Sequence, residues 1–275
     1  MPSKEHWKGK TVLICGASDG LGSVIATELA KLQPAQLALL ARREDKLVKL
    51  KAELQQICQD CQVEVFVCDL GDLQQTQAVA QHEFFSDGLD LLIQAVGMSD
   101  RGTITELSSE RVEQLIGVNV ITSINALQSF GQALGRKRGM VTLIGSLASL
   151  FAPRFLGGYA IAKHALAALA QQARLEFAEK DVGVCLVCPG PIAREDAGQR
   201  YQVKSGASDL PAEALKPGGG AKIKGLNAEV LAGDILQAAA NRKRRIIRPR
   251  KAWILHVLSA LSPAFGDKLL GRSTS

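Results

Sequence analysis

Thr11-Val-Leu-Ile-Cys15-Gly16-Ala-Ser-Asp19-Gly20-Leu-Gly22 decides how the rest of the chain is read. Its first five residues are a continuous apolar run, the pattern of a strand buried on both faces. Three glycines follow, and from residue 20 to 32 the apolar positions recur at helical spacing. In a strand–glycine turn–helix unit the backbone turns tightly and comes close to a pyrophosphate. The free N–H groups and positive dipole end of the helix then lie beside the phosphates. A glycine cluster by itself is equally the mark of an ordinary turn. Its place directly after an apolar strand favours the nucleotide reading.

Outward from this stretch the apolar period keeps switching. Strand-like runs cover residues 36–40, 63–68, 89–95, 140–144 and 183–188. Helical patterns cover 43–57, 73–84, 108–132, 159–180 and 228–240, and Arg245-Ile-Ile-Arg-Pro reads as an edge strand. Short buried strands separated by helices imply crossovers and a parallel sheet. The expected fold is therefore α/β: a doubly wound parallel sheet in three α/β/α layers. The 275 residues allow one such domain. It is expected over residues 1–250, with a tail at 251–275. After Pro189 the regularity stops, and 190–227 is expected to be a substrate-binding loop.

Composition narrows the function classes. Apolar residues are 47% and charged residues 22%, which excludes wholesale disorder. The longest apolar candidate, 252–261, falls short of the roughly 18 residues of a membrane span and is interrupted by His256 and Ser259. Residues 1–10 lack the apolar core of a signal peptide, so a reducing cytoplasm is the expected compartment. Residues 241–275 hold nine Lys or Arg and one Asp, so +8 of the net +6 lies there and −2 in the remainder. That distribution argues against nucleic acid as a partner. Cys185 and Cys188 lie three apart on a strand-like run and point to opposite faces, so they cannot chelate together. Cys15 and Cys68 look like core residues. Cys58 and Cys61 can approach each other at a helix end, but no His accompanies them, and no metal site is expected.

Three further features carry chemistry. Tyr159 and Lys163 stand four apart, on one helix face, and an ammonium near a phenol favours the phenolate. Such a tyrosine exchanges a proton with a carbonyl or alcohol near neutral pH. A surface Tyr–Lys pair is the plainer reading of that spacing. Ser146 follows an apolar strand, at the end where open α/β sheets bind ligands. Asn119 sits inside the 108–132 helix, where asparagine competes with backbone bonds and opens the helix locally, or is simply satisfied there.

Taken together, Gly16/Gly20/Gly22, Asn119, Ser146, Tyr159 and Lys163, in this order and spacing, resemble the classical short-chain dehydrogenases/reductases, from about residue 11 to 192. Among them the chain looks most like the hydroxysteroid dehydrogenase and keto-lipid reductase branch. The resemblance implies a Rossmann-type fold and a nicotinamide cofactor. Tyr159 would be the acid/base, with Lys163 tuning it and holding the ribose. Ser146 would polarise the substrate oxygen, and Asn119 would support a proton-relay water. It also implies cofactor contacts from Gly16, Ser18, Asp19, Gly20, Leu21, Gly22, Arg42, Arg43, Asp69, Leu70, Ala95, Gly97, Tyr159, Lys163, Pro189, Gly190 and Ile192. Two positions depart from the family pattern: Gln94-Ala-Val-Gly97 replaces an Asn-Asn-Ala-Gly segment, and Arg194 replaces a threonine.

The end of the second strand reads Leu40-Ala-Arg42-Arg43. Alanine stands where a carboxylate would accept NAD ribose hydroxyls, and two guanidinium groups follow to bind a 2′-phosphate. NADP(H) is expected over NAD(H), although Asp19 counts against it, and the arginines otherwise begin a solvated helix face. Leu150, Phe151, Phe155 and Leu156 suit an apolar carbonyl or alcohol substrate, or belong to the core. The alanine-rich 159–180 helix suits a homodimer or homotetramer contact. Residues 242–265 join a basic cluster to an apolar amphipathic stretch, as in peripheral membrane contacts, or form an edge strand and a packing helix. The alternative function class is a catalytically weak nicotinamide-binding regulator or a membrane-surface lipid-binding protein.

Overall fold

The computed structural model describes residues 4–193, 210 and 224–273. Seven strands form one sheet: β1 (Thr11–Cys15), β2 (Gln36–Ala41), β3 (Gln62–Val67), β4 (Leu91–Gln94), β5 (Met140–Ile144), β6 (Gly183–Pro189) and β7 (Arg245–Arg248). Their order is β3-β2-β1-β4-β5-β6-β7, and every neighbouring pair is parallel. The helices are α1 (Lys4–Trp7), α2 (Gly20–Ala30), α3 (Glu44–Ile57), α4 (Leu73–Ala80), α5 (Ser109–Ile116), α6 (Thr122–Lys137), α7 (Gly158–Glu176), α8 (Ala228–Ala240), α9 (Ala252–Leu261) and α10 (Pro263–Ser273).

The sheet is covered on both faces, which is why its inner strands β1, β4 and β6 read as nearly continuous apolar runs, while edge strands β3 and β7 carry Glu64 and two arginines. One apolar layer joins Ile25 and Leu29 of α2, Leu47 and Leu54 of α3, and Leu231 and Ile235 of α8 to Val12, Ile14 and Cys185. The other joins Phe130 of α6 and Leu166 of α7 to Leu13, Cys15, Cys68 and Cys188. Cys185 and Cys188 thus lie on opposite faces, as their spacing requires. Cys58 and Cys61 are both buried at the end of α3, and burial pushes the Cys61 thiol up to about 12. The chain winds outward from β1 to β3, then returns to place β4 on β1's other side. The crevice at that reversal lies beyond the C-terminal ends of the strands.

The helix expected over 73–84 ends earlier, at Ala80. A 3-10 turn over Glu83–Phe85 follows, started by His82 Nδ1 accepting the Phe84 N–H at 3.2 Å. The tighter turn lets two consecutive phenylalanines both face inward, where each meets Phe66. The helix expected over 108–132 divides into α5, a π-turn at Gly117–Ile121 and α6. That over 159–180 becomes α7 followed by a 3-10 turn, Phe177–Lys180, which ends at left-handed Asp181. β7 is the edge strand read from the sequence. Among the described residues no helix is long and apolar enough to cross a membrane.

Candidate cofactor and catalytic site

The glycine turn is shaped by lack of room. Gly16 has φ +82°, and a Cβ there would stand 2.9 Å from the Val96 nitrogen and 3.1 Å from the Ala95 carbonyl carbon. A Cβ on Gly22 would collide with the Gly16 carbonyl, so α2 closes directly onto the turn. Gly20 is also left-handed, at φ +59°. Leu21 is buried in α2's first turn, whose outer N–H groups have no acceptor within the helix. Asp19 caps α2 by accepting the Gly20 N–H at 2.7 Å.

A charged cluster borders this turn. Arg43 donates to Asp19 at 3.0 Å and to Ser18 Oγ at 3.3 Å, and Lys46 donates to Asp19 at 3.3 Å. The Arg43 hydrogen bond is the main reason that the Asp19 carboxyl falls to about 2. Arg42 lies 3.8 Å from Asp69, whose other oxygen accepts the Gly71 N–H. Three cations thus face two carboxylates at the ends of β1, β2 and β3.

The second half of the site forms around Lys163. Its side chain is buried, and Nζ donates to the Ile144 carbonyl at 2.9 Å, two residues before Ser146. Burial lowers its pKa to about 8. Nζ stands 5.7 Å from the centre of the Tyr159 ring, which packs against Ala148, Leu156 and Ala160. A Cβ on Gly97 would come 3.2 Å from Lys163 Nζ and 2.9 Å from Asn119 Oδ1, so these three residues meet. Asn119 accepts the Met98 N–H and donates to the carbonyls of Met98 and Leu115. Ser146 Oγ accepts the Ala148 N–H at 3.1 Å, which leaves its own hydrogen free to donate. Pro189 ends β6, the Gly190 N–H donates to Arg248 O at 2.7 Å, and Ile192 bridges to Leu226. The two ends of the expected 190–227 loop are thereby tied together, while Arg194 and most of that loop lie outside the described residues.

All six strand ends that carry these residues open on one edge of the sheet. The glycine cradle, the free first-turn amides and the gap at Gly97 fit an extended dinucleotide. The short chain dehydrogenase family profile matches residues 10–203. The chain belongs to the short-chain dehydrogenase family. It is an NAD(P)-dependent oxidoreductase. The dehydrogenase/reductase SDR family protein 7-like of Anopheles gambiae is 28% identical over 92% of this chain and 80% of its own. The alcohol dehydrogenase of the archaeon Thermococcus sibiricus, solved with 5-hydroxy-NADP, is 27% identical. It covers 86% of this chain and 95% of its own, at a TM-score of 0.70. A xylitol dehydrogenase bound to NAD+, at 18% identity and a TM-score of 0.73, covers 85% of this chain and 93% of its own.

Some residues that support this site escaped the sequence reading, and others take a place that it left open. Lys46 joins Arg43 on Asp19, and its place three residues after Arg43, in the first turn of α3, is the signal that marks it. Asn125 donates to the carbonyls of Leu70 and Gly71 and so fixes the strand end that carries Asp69. Gln94, the departure noted above, donates to Thr122 Oγ1 at 3.2 Å and accepts the Val96 N–H, tying β4 to α6. Asp100 pairs with Arg111 at 2.6 Å and is buried beside left-handed Gly157, at the entrance to α7. Phe151 belongs to the core rather than to a pocket wall, with its ring against His256.

Proposed function

We propose that this dehydrogenase uses NADP(H) to interconvert an apolar ketone or aldehyde and its alcohol, with Tyr159 as acid/base. The observation that carries the reading is Lys163: an amine buried beside Asn119 and Gly97, anchored to the strand that leads to Ser146, with the Tyr159 ring next to it. When bound, the cofactor supplies or takes up the hydride. In the reductive direction the Tyr159 hydroxyl gives its proton to the substrate oxygen, and Ser146 Oγ donates a hydrogen bond to the same atom. The Lys163 ammonium supports the phenolate and holds the ribose with the N–H bonds not spent on Ile144. Asn119, fixed by Met98 and Leu115, supports the water that refills the proton.

Gly16, Ser18, Gly20, Leu21, Gly22, Ala95, Gly97, Pro189, Gly190 and Ile192 would line the cofactor, and Asp69 and Leu70 would face its adenine. Arg42, Arg43 and Lys46 favour a 2′-phosphate, since Ala41 offers no carboxylate to repel it. Asp19 binds two of these cations instead of opposing them alone. Leu147, Leu150 and Phe155 remain partly exposed around the Ser146 turn and suit an apolar substrate. Ile161 and Leu175, exposed on α7, suit contact between copies in a homodimer or homotetramer. The six unpaired cysteines fit a reducing cytoplasm. Residues 1–250, with the 190–227 loop, would form the catalytic unit. In the test, Tyr159→Phe keeps NADPH binding and loses carbonyl reduction; unchanged turnover would overturn the mechanism.

A further inference from the structure

α9 turns its more apolar side to solvent. At 3.6 residues per turn, Trp253, Ile254, Val257, Leu258 and Leu261 fall within about 140° of arc. Trp253 is 58%, Ile254 55% and Leu261 79% exposed. The side held against the body carries buried Ala252, then Leu255, His256 and Ser259. α10 folds back so closely that a Cβ on Gly266 would meet Ser259, and it adds exposed Phe265 to the same region. Solvated helices show the opposite polarity, and contiguous exposed apolar surface marks an interaction site.

Charge limits what covers it. Arg250 and Lys251 are exposed at the first turn of α9, Arg245 lies beside His256 midway along it, and Lys268 is exposed on α10. Arg242 and Arg248 are paired within the chain, Arg242 at the surface with the Asp181 backbone and side chain and Arg248 with Asp234. Asp267 is the only acidic residue from 241 to 275. The occupant therefore offers apolar surface and negative charge together. A second copy docking by this face would bring the same basic segment into the contact. A lipid surface with anionic headgroups satisfies both demands. With ten and eleven residues, α9 and α10 are too short to span.

We propose that α9 and α10 dock this enzyme onto an anionic membrane surface, with Trp253, Ile254, Leu258, Leu261 and Phe265 entering the headgroup boundary. α9 starts where β7 ends, at the edge of the sheet that carries Ser146 and Pro189. Through His256 and Phe151 it also rests on the turn that follows Ser146. Docking thus brings the site-bearing edge toward the lipid, from which an apolar carbonyl is drawn; only this last link rests on the proposed substrate class.

The test is co-sedimentation of the full chain with vesicles of phosphatidylcholine alone, or of phosphatidylcholine and phosphatidylserine in equal parts. Trp253 emission is followed in a Trp7→Phe background, with Trp7, 2% exposed, as the buried reference in wild type. Binding to the anionic vesicles with a blue shift is expected. The double variant Ile254→Ser/Leu261→Ser lowers the partition coefficient about tenfold or more. Arg250→Gln and Lys251→Gln each lower it roughly fivefold. No binding by folded protein overturns the proposal, as does binding that the serine variant leaves unchanged. Loss of an oligomer in that variant, with vesicle binding absent, assigns the face to a second copy and overturns it too. Nicotinamide binding is measured on the same samples. Its failure with vesicle binding intact would refute the oxidoreductase site assignment and leave this proposal standing.

Discussion

Replacing Lys163 with methionine separates what burial does to the lysine from what the lysine does for the chemistry. The residue is 3% exposed, and burial takes its pKa from 10.5 down to about 8. At about 1.4 kcal/mol for each tenfold change in proton affinity, holding the charge inside costs the fold about 3 kcal/mol at neutral pH. The unfolded chain keeps that proton up to its higher pKa. The penalty is therefore complete below about pH 8 and disappears as pH rises from about 8 to about 10.5. Wild type gains on Lys163→Met across that window, by about 1 kcal/mol between about pH 7 and about pH 9. Loss of the bond to the Ile144 carbonyl costs the variant about 1–3 kcal/mol, but independently of pH. The slope of the difference, more than its offset, therefore carries the test. The thiols of Cys61 and Cys185, held at about 12 by burial, pull the opposite way at high pH; they do so in both proteins and cancel on subtraction. Cys188 faces the Lys163 charge and loses it in the variant, so the slope is read below the range in which that thiol titrates. Urea unfolding of both proteins across this range gives the slope directly. A difference that stays flat with pH would refute the desolvated Lys163 on which the site reading depends. Nicotinamide binding and turnover fall together in the variant, because the same amine is assigned to the ribose and to Tyr159.

Gly22→Ala drives a methyl into the Gly16 carbonyl and is expected to cost about 2 kcal/mol or more, with cofactor binding lost, as read by denaturant midpoint and NADPH titration. Asp19→Ser keeps a capping oxygen for α2 and removes the negative charge from Arg43 and Lys46. NADPH binding then tightens about fivefold with NADH nearly unchanged, whereas Lys46→Ser weakens NADPH by a similar factor; equal effects on the two cofactors would refute the 2′-phosphate assignment. Arg111→Met leaves the Asp100 carboxylate buried without its guanidinium and is expected to destabilise by about 3–5 kcal/mol in urea unfolding.

The fold was legible because each strand carries its own signal. β1 is buried at every residue, which is why Val12-Leu-Ile-Cys15 is an unbroken apolar run, and the glycine turn after it marked the passage into α2. Failures came where a tertiary contact overrode local period. Phe84 and Phe85 both found core partners, and the helix gave way to a 3-10 turn that no spacing rule announces. The site divides in the same way. Tyr159, Lys163 and Ser146, the residues proposed for catalysis, stood out because proton exchange restricts residue type. Their supports did not, because the partners are far apart in sequence: Gln94 reaches Thr122, and Asn125 reaches Leu70. The partners of Asp19 were hidden for the same reason: the fold brings α3 across the glycine turn and sets Arg43 and Lys46 on that carboxylate.

Asn119 shows how local sequence and distant topology combine at one residue. An asparagine inside a helical pattern foretold a local opening, and the chain does widen into a π-turn at Gly117–Ile121. What the sequence could not foretell is how that opening is offset. Thr122 Oγ1 donates to the Val118 carbonyl and Ser123 Oγ to that of Asn119, so carbonyls around the wide turn keep donors. The amide is then turned toward the loop after β4, where Met98 supplies one donor and one acceptor. Pairing of β4 with β5, whose Ile144 carbonyl holds Lys163, puts Gly97 between Asn119 and Lys163. The π-turn is therefore a positioning element: it gives up one regular helical turn to aim a rigid amide at the gap where the cofactor and the proton-relay water are assigned.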